Sequence, residues 1–384
     1  MTARRLAALA LLALVAALAA LYTGTMREPQ GAGAASGAPL IAGLKDAIND
    51  VSEIRLATAG DATAVTLVRG ETQWSVKEKD GYVADTGSIR ELLLGLADAR
   101  RREAKTANPD NYAFLEVSAI DSADAKGVQV ALSGIDAAPV IVGKAASGAG
   151  EATYARLANE DQSWLVNGRI DVARTPLDWL NRDIVDLPSS RIQAVSVQHP
   201  DGETLRISRP SRAESTFTVE GVPDGRELTS ASVAAPMASV LQSLRLDDVM
   251  PAAGSPLAAP TVVEYRTFDG LVLRVEAQGQ ADEALVHFGV SFDSEQARAF
   301  MPPAEDFETV AGDEAPADST GDEQSASAEE AGLDDVQFTA AEEEAAELDA
   351  RLSPWVYRIP TYKREQLTKR MDDLLKALPE PAAE

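Results

Sequence analysis

Cysteine is absent from the chain, and histidine occurs only twice, at positions 199 and 287. Without thiols there can be no disulfide, thiolate nucleophile, iron–sulfur cluster or cysteine-based zinc site. Two imidazoles so far apart in sequence do not form a metal-ligand motif. Neither sits in a triad context, and the chain has no Gly-x-Ser-x-Gly elbow. His199 opens the turn "HPDG" and reads as a hydrophilic turn residue. His287, between Val286 and Phe288, reads as a residue at an edge or on the solvent face of a strand. Basic side chains are also scarce: 35 Lys and Arg face 61 Asp and Glu, a formal charge of −26. Recognition of a polyanion needs concentrated cations, so the balance argues against a nucleic-acid partner. No G-x-G-x-x-G fingerprint and no phosphate loop occurs, and the residues imply no cofactor. Acidic neighbours such as Asp247 and Asp248 carry little catalytic information where carboxylates are this common.

What is present begins at the N-terminus. Arg4 and Arg5 precede an uncharged run from Leu6 to Tyr22, a pattern that keeps the N-terminus in the cytoplasm and sends the rest across the membrane. The run has the length of a short spanning helix or a long signal segment, with Ala17-Leu18-Ala19 as a cleavage candidate. The expectation is a single-pass inner-membrane anchor over residues 1–25, with the C-terminal bulk in the periplasm. A flexible tether over 26–44 follows, carried by "REPQGAGAASGAP".

Beyond the tether, apolar residues alternate in "VSEIRL", "AVTLVRG" and "TQWSVKE". Helical spacing then places Ile89, Leu92, Leu93 and Leu96 on one face of "SIRELLLGLADARRREAK". Ser88 with Glu91 offers a capping box for that helix, and Asp85 offers an earlier cap. The same order returns after residue 190. "RIQAVSVQ", "ETLRISRP" and "STFTVEG" read as strands, and "SASVAAPMASVLQSLRLDDVM" reads as a helix with Val233, Met237, Val240, Leu241 and Leu244 inward. Asp269-Gly270 between alternating segments predicts a hairpin. The closing "TYKREQLTKRMDDLLKAL" predicts a helix burying Leu367, Met371, Leu374 and Leu375. The fold class expected is α+β: two related units, residues 45–188 and 189–375, each an antiparallel sheet with a packed amphipathic helix. A tail over 376–384 ends the chain. Residues 305–350 carry 17 acidic side chains and no Lys or Arg, which predicts a disordered acidic insertion within the second unit.

The stretch "TYARLANEDQSWLVN" concentrates aromatic and cationic side chains around an acidic turn. Tyr154 and Arg156 share one strand face, and Trp164 and Val166 share a face of its partner, an arrangement that would give cross-strand aromatic and cation contacts. Trp355 and Tyr357 hold a comparable place in "PWVYRIPTYKREQL". Tyr154, Arg156, Trp164, Trp355 and Tyr357 are therefore candidates for partner or ligand contact as well as for sheet packing. No residue is a catalytic or metal-ligating candidate.

The order of these segments resembles the bacterial family called domain of unknown function 4340. Trp74, the approach Tyr82-Val83-Ala84-Asp85 and the strand bearing Tyr154 and Arg156 are similar to its motifs. So are Trp179, Arg182 and Asp183 in "DWLNRDIVDLP" and the closing Trp355-Val356-Tyr357. The resemblance runs over roughly residues 51–375. It implies a bacterial envelope protein of accessory or scaffolding type, beside ABC-type transport or gliding-motility systems, and it supplies no catalytic residues. The expected partners are the inner membrane and envelope or ABC-transport proteins; the alternative is a periplasmic module binding peptide or polysaccharide.

Overall fold

The computed structural model describes residues 37–148, 151–255, 257–279, 283–300 and 326–377. The anchor expected over 1–25 and the tether through residue 36 lie outside the described residues. Among those described, no helix is long and apolar enough to cross a membrane. The architecture is α+β, with large antiparallel sheets and helices. Internal contacts divide the chain into two compact units, Met1–Leu180 and Asn181–Glu384. The residues 181–188, expected to end the first unit, thus fall in the second.

In the first unit the alternating runs become β1 (Glu53–Thr58), β2 (Ala62–Arg69), β3 (Trp74–Val76) and β4 (Tyr82–Val83). They continue as β5 (Arg101–Ala104), β6 (Val128–Ser133), β7 (Val140–Ala145), β8 (Ala152–Leu157) and β9 (Ser163–Asn167). The nine strands form one antiparallel sheet in the order β4-β3-β2-β1-β6-β7-β8-β9-β5. Ile54, Leu56, Val65 and Leu67 are fully buried, as the two-residue period requires. The last part of the expected tether is built into this unit. The Gly37 N–H donates to the Arg101 carbonyl at 2.6 Å, and Leu40, Ile41 and Leu44 are buried. Three apolar side chains following the Gly/Ala-rich stretch were enough to draw the chain into the core.

The expected amphipathic helix of this unit is Thr86–Asp98. Asp85 caps it by accepting from the Gly87 N–H at 2.8 Å and the Ser88 N–H at 3.4 Å, so the cap is Asp85 and not Ser88. Ile89, Leu92, Leu93 and Leu96 are buried, as their spacing predicts. The "RREA" that was expected to prolong the helix is instead β5, paired with β9. Arg, Glu and Ala are good helix formers, but intrinsic propensity differs by only about 0.7 kcal/mol per residue among ordinary residues, and a sheet edge offering backbone hydrogen bonds outweighs it.

The second unit contains β11 (Ile192–Gln198), β12 (Thr204–Ser208), β13 (Thr218–Val219), β15 (Asp248–Pro251), β16 (Thr261–Thr267), β17 (Leu271–Gln278), β18 (Leu285–Phe292) and β19 (Trp355–Arg358). Their antiparallel order is β13-β12-β11-β16-β17-β18-β19-β15. A separate pair joins β10 (Asp183–Val185) to β14 (Leu244–Arg245). Set β4 aside and the two large sheets have one connectivity: three strands running outward, four successive strands on the other side, and a strand from mid-unit closing the far edge. Tyr265, Phe268, Phe288 and Tyr357 fill the second core. The Asp-Gly hairpin joins β16 to β17. Gly270 has φ +87°, and a Cβ there would come within 2.5 Å of the Asp293 carbonyl, so no other residue fits.

Three expectations for this unit are corrected. The amphipathic helix expected near residues 230–250 is reduced to Ala235–Ala238. Pro236 stands in the first turn of this helix, where its missing N–H is tolerated, so no helix can run into it from Ser230; the chain leaves the helix at Ser239 and enters β14 at Leu244. Met237, Val240, Leu241 and Leu244 are nonetheless buried, so the apolar spacing identified the core but not the element. The acidic tract is the second correction. It was expected to be disordered to residue 350, but Ala326–Leu352 is one helix, packed against β18 and β17. Ala and Glu are strong helix formers, and Ala345 and Leu352 are buried against the sheet. The closing helix is also split, into Thr361–Leu367 and Met371–Leu374, with Leu367, Leu374 and Leu375 buried.

Candidate functional site

The sequence-predicted cluster lies on β8 and β9, and pairing decides what its members can touch. Ala155 faces Trp164 and Tyr154 faces Leu165, so Tyr154 and Arg156 lie on one sheet face while Trp164 and Val166 lie on the other. The expected contacts between these two pairs therefore do not form. An odd register separates side chains that a hairpin drawn on paper places together.

On the Arg156 face, residues following β5 fold back over β7 and β8. Asn108 starts this return by accepting from the Asp110 N–H at 3.1 Å, and Tyr112–Leu115 forms a single helical turn. Glu116, at φ +60°, closes the turn, with the Val117 N–H bonded to the Tyr112 carbonyl. The segment lies so close to the sheet that a Cβ at Gly143 would sit 2.2 Å from the Leu115 carbonyl. Tyr112, Val117 and Ile141 pack together, with Leu115 and Tyr154 against them.

Arg156, only 4% exposed, ties this layer down. Its Nε donates to the Val117 carbonyl at 3.0 Å, its Nη1 to the Glu160 carbonyl at 3.0 Å, and its guanidinium lies 4.5 Å from the Tyr112 ring centre. The Tyr112 hydroxyl donates to the Asp161 carbonyl at 2.5 Å. Burial pushes the Tyr112 phenol above its ordinary pKa, against the opposing pull of the Arg156 charge. This is a structural use of arginine, with its donors spent on main-chain carbonyls. Phe114, in the same turn as Tyr112, is 71% exposed.

On the opposite face Trp164 is 3% exposed, with the Arg101 guanidinium 5.1 Å from its ring. Arg101 also pairs with the Glu160 carboxylate at 3.1 Å. Glu160 in the "ANEDQ" turn therefore serves both faces, its carbonyl to Arg156 and its carboxylate to Arg101. Trp179 is buried, donates to the Ala173 carbonyl at 3.1 Å, and accepts from the Asp85 N–H through its own carbonyl. Beside the Thr86–Asp98 helix lies an open groove of about 480 Å³, with Arg90, the half-exposed Leu94 and Arg169 on its walls.

Trp355 and Tyr357 belong to the second unit. Tyr357 is buried, meets Phe288 edge-on at 5.8 Å, and is a core residue; Trp355 is half-buried opposite Pro251. His287 is half-buried in β18, an interior strand, and its Nε2 donates to the Ser353 carbonyl at 2.9 Å. Among the described residues no three His, Asp or Glu side chains are arranged to hold a metal ion.

Residues 74–261 match the family model described as Domain of unknown function (DUF4340). Over that segment, just under half of the chain, the sequence is similar to DUF4340. The DUF4340 match is shorter than the resemblance read from the sequence. It starts at Trp74 in β3, takes in the whole Tyr112, Tyr154, Arg156 and Trp164 assembly, and ends at Thr261, where β16 begins. Trp355 and Tyr357 lie outside it. No curated protein and no solved structure matches the chain. Within the DUF4340 segment, sequence reading missed Tyr112, Phe114, Arg101 and Glu160. The turn-forming "NPDN" ahead of Tyr112 was the available signal for the first two.

Proposed function

We propose that this protein is a non-enzymatic accessory or scaffold of the bacterial envelope. The segment Leu6–Tyr22 holds it in the inner membrane, and two units related by duplication work in the periplasm through protein contacts, beside an ABC-type transport system. The observation carrying this reading is the disposition of the cationic and aromatic side chains. Arg156 and Arg101 are committed to carbonyls, rings and one carboxylate inside the fold, while Phe114 stands exposed on a turn that Arg156 and Tyr112 hold rigid. A fixed, exposed aromatic suits an interface anchor. The shared strand connectivity supports duplication. So does the placement of Trp164 opposite Ala104, the last residue of β5, and of Trp355 opposite Pro251, the last residue of β15.

The test is crosslinking in native membranes with identification of the captured proteins. Capture of a transporter component by the wild-type chain, lost in Phe114→Asp without a change in thermal midpoint, is the expected result. Recovery of the chain alone at every crosslinker length overturns the scaffold reading. A reporter fused after residue 375 is expected to be active in the periplasm, and cytoplasmic activity overturns the topology.

A further inference from the structure

His199 does not behave as a solvated turn residue. It is 5% exposed, with Nε2 at 3.3 Å from the Lys369 carbonyl and Nδ1 at 3.3 Å from the Thr261 hydroxyl. A carbonyl can only accept, so Nε2 carries the proton, and in the neutral ring Nδ1 accepts from Thr261. The imidazole forms part of the wall of a cavity of about 300 Å³ in the second unit, together with Gln278, Arg364, Thr368 and Arg370. Among the described residues no carboxylate lines this space.

Thr261, Thr368 and Arg370 spend their donors within the fold, the first two on His199 and the Arg364 carbonyl, which leaves Arg364 and Gln278. Arg364 uses Nη1 on the Gly279 carbonyl at 3.2 Å, its buried Nε has no hydrogen-bond partner, and it forms no ion pair among the described residues. The Gln278 side-chain oxygen accepts from the Ala258 N–H at 2.5 Å, which leaves its NH2 to donate. Arg370 is held in place by Asp201, at 2.9 Å, and by Glu203. Its charge is balanced there, whereas among the described residues Arg364 has no carboxylate partner. With Nη1 on the Gly279 carbonyl, the rest of the planar Arg364 guanidinium is left to pair with an oxygen of a carboxylate or phosphate.

We infer that this cavity is a binding site for a small oxyanion, seated on Arg364 and assisted by the Gln278 amide. A partly open space of this size has room for a small oxyanion such as phosphate or a short dicarboxylate. The inference is independent of the scaffold reading and survives its failure.

Isothermal titration calorimetry of the full chain at constant ionic strength, with inorganic phosphate and separately with succinate, tests it. Saturable binding of at least one probe is expected, weakened roughly tenfold or more in Arg364→Gln and unchanged in Arg274→Gln, an exposed strand residue outside the cavity. A response to phosphate alone marks a tetrahedral ligand, and a response to succinate alone marks a carboxylate; both support the site. Arg364→Lys keeps the charge without the fork and is expected to bind with intermediate affinity, which carries the test if Arg364→Gln does not fold. Absence of saturation with either probe at tens of millimolar, or undiminished binding by a folded Arg364→Gln, overturns the inference.

Discussion

Arg191 and Glu344 are joined by two parallel hydrogen bonds, Nη1 to Oε1 at 2.8 Å and Nη2 to Oε2 at 2.9 Å. Arg191 also reaches Asp269 at 2.7 Å, so one guanidinium couples the Ala326–Leu352 helix to the β16–β17 hairpin. Glu344 is the main cause that raises the Arg191 pKa above its ordinary value. Because Glu344 is 40% exposed, solvent discounts the pair, and Glu344→Gln is expected to cost only about 1 kcal/mol. Leu352→Ala, at a fully buried position on the same helix, is expected to cost about 2–5 kcal/mol. Urea unfolding of the two variants checks both the helix and the ranking; equal midpoints for Leu352→Ala and wild type would contradict its packing.

The Asp269 carboxyl carries a pH dependence. Burial pushes its pKa up, but the Thr267 hydrogen bond and the Arg191 charge outweigh burial and hold it below the ordinary carboxylate value. A depressed folded-state pKa gives stability that is complete above the unfolded value of about 4 and is lost as pH falls through the folded one. The urea midpoint is therefore expected to drop below about pH 4, with a shallower drop in Asp269→Asn. Parallel pH profiles would remove Asp269 from the account.

Arg156→Met is expected to destabilise the first unit by roughly 3 kcal/mol, because the carbonyls of Val117 and Glu160 lose their donor. Limited proteolysis gives a more specific readout, with cleavage expected to rise between residues 105 and 127. The second unit uses Arg209 in the same way. It lies 5% exposed and donates to the carbonyls of Ile192, Glu214, Ser189 and Ser190, and burial lowers its pKa.

Trp164→Ala is expected to cost about 3–5 kcal/mol, whereas Phe114→Ala, at an exposed site, should stay within about 0.5 kcal/mol. Thermal midpoints separate the two. A stable Trp164→Ala would return that residue to the list of contact sites.

The strands were legible because alternation survives in a sheet with one face on a core. Val51–Leu56, the "AVTLVRG" run and the Asp-Gly hairpin all emerged close to where their patterns placed them. Helices were harder to read where a single residue or a distant partner decides. Pro236 keeps one from starting earlier, and "RREA" became a strand only because β9, encoded far downstream, pairs with it. In the acidic tract the helix propensity of Ala and Glu, with a sheet to pack on, outweighs like-charge repulsion. The polar cavity could not be read in advance, since His199, Gln278 and Arg364 come from three separate segments that meet only in the folded unit. Facing in the β8–β9 hairpin depended on a register that residue types alone do not specify.

Strand β19 sits between β18 and β15, yet it is the last strand made, after the whole acidic tract. While the chain is being synthesised, β15 and β18 each present a row of unpaired amide and carbonyl groups until Trp355–Arg358 arrives. A chain ended by a premature stop before residue 355 would keep both edges open. Its hazard would be self-association through strand addition, with the lost C-terminal residues doing less harm than the edges they leave behind.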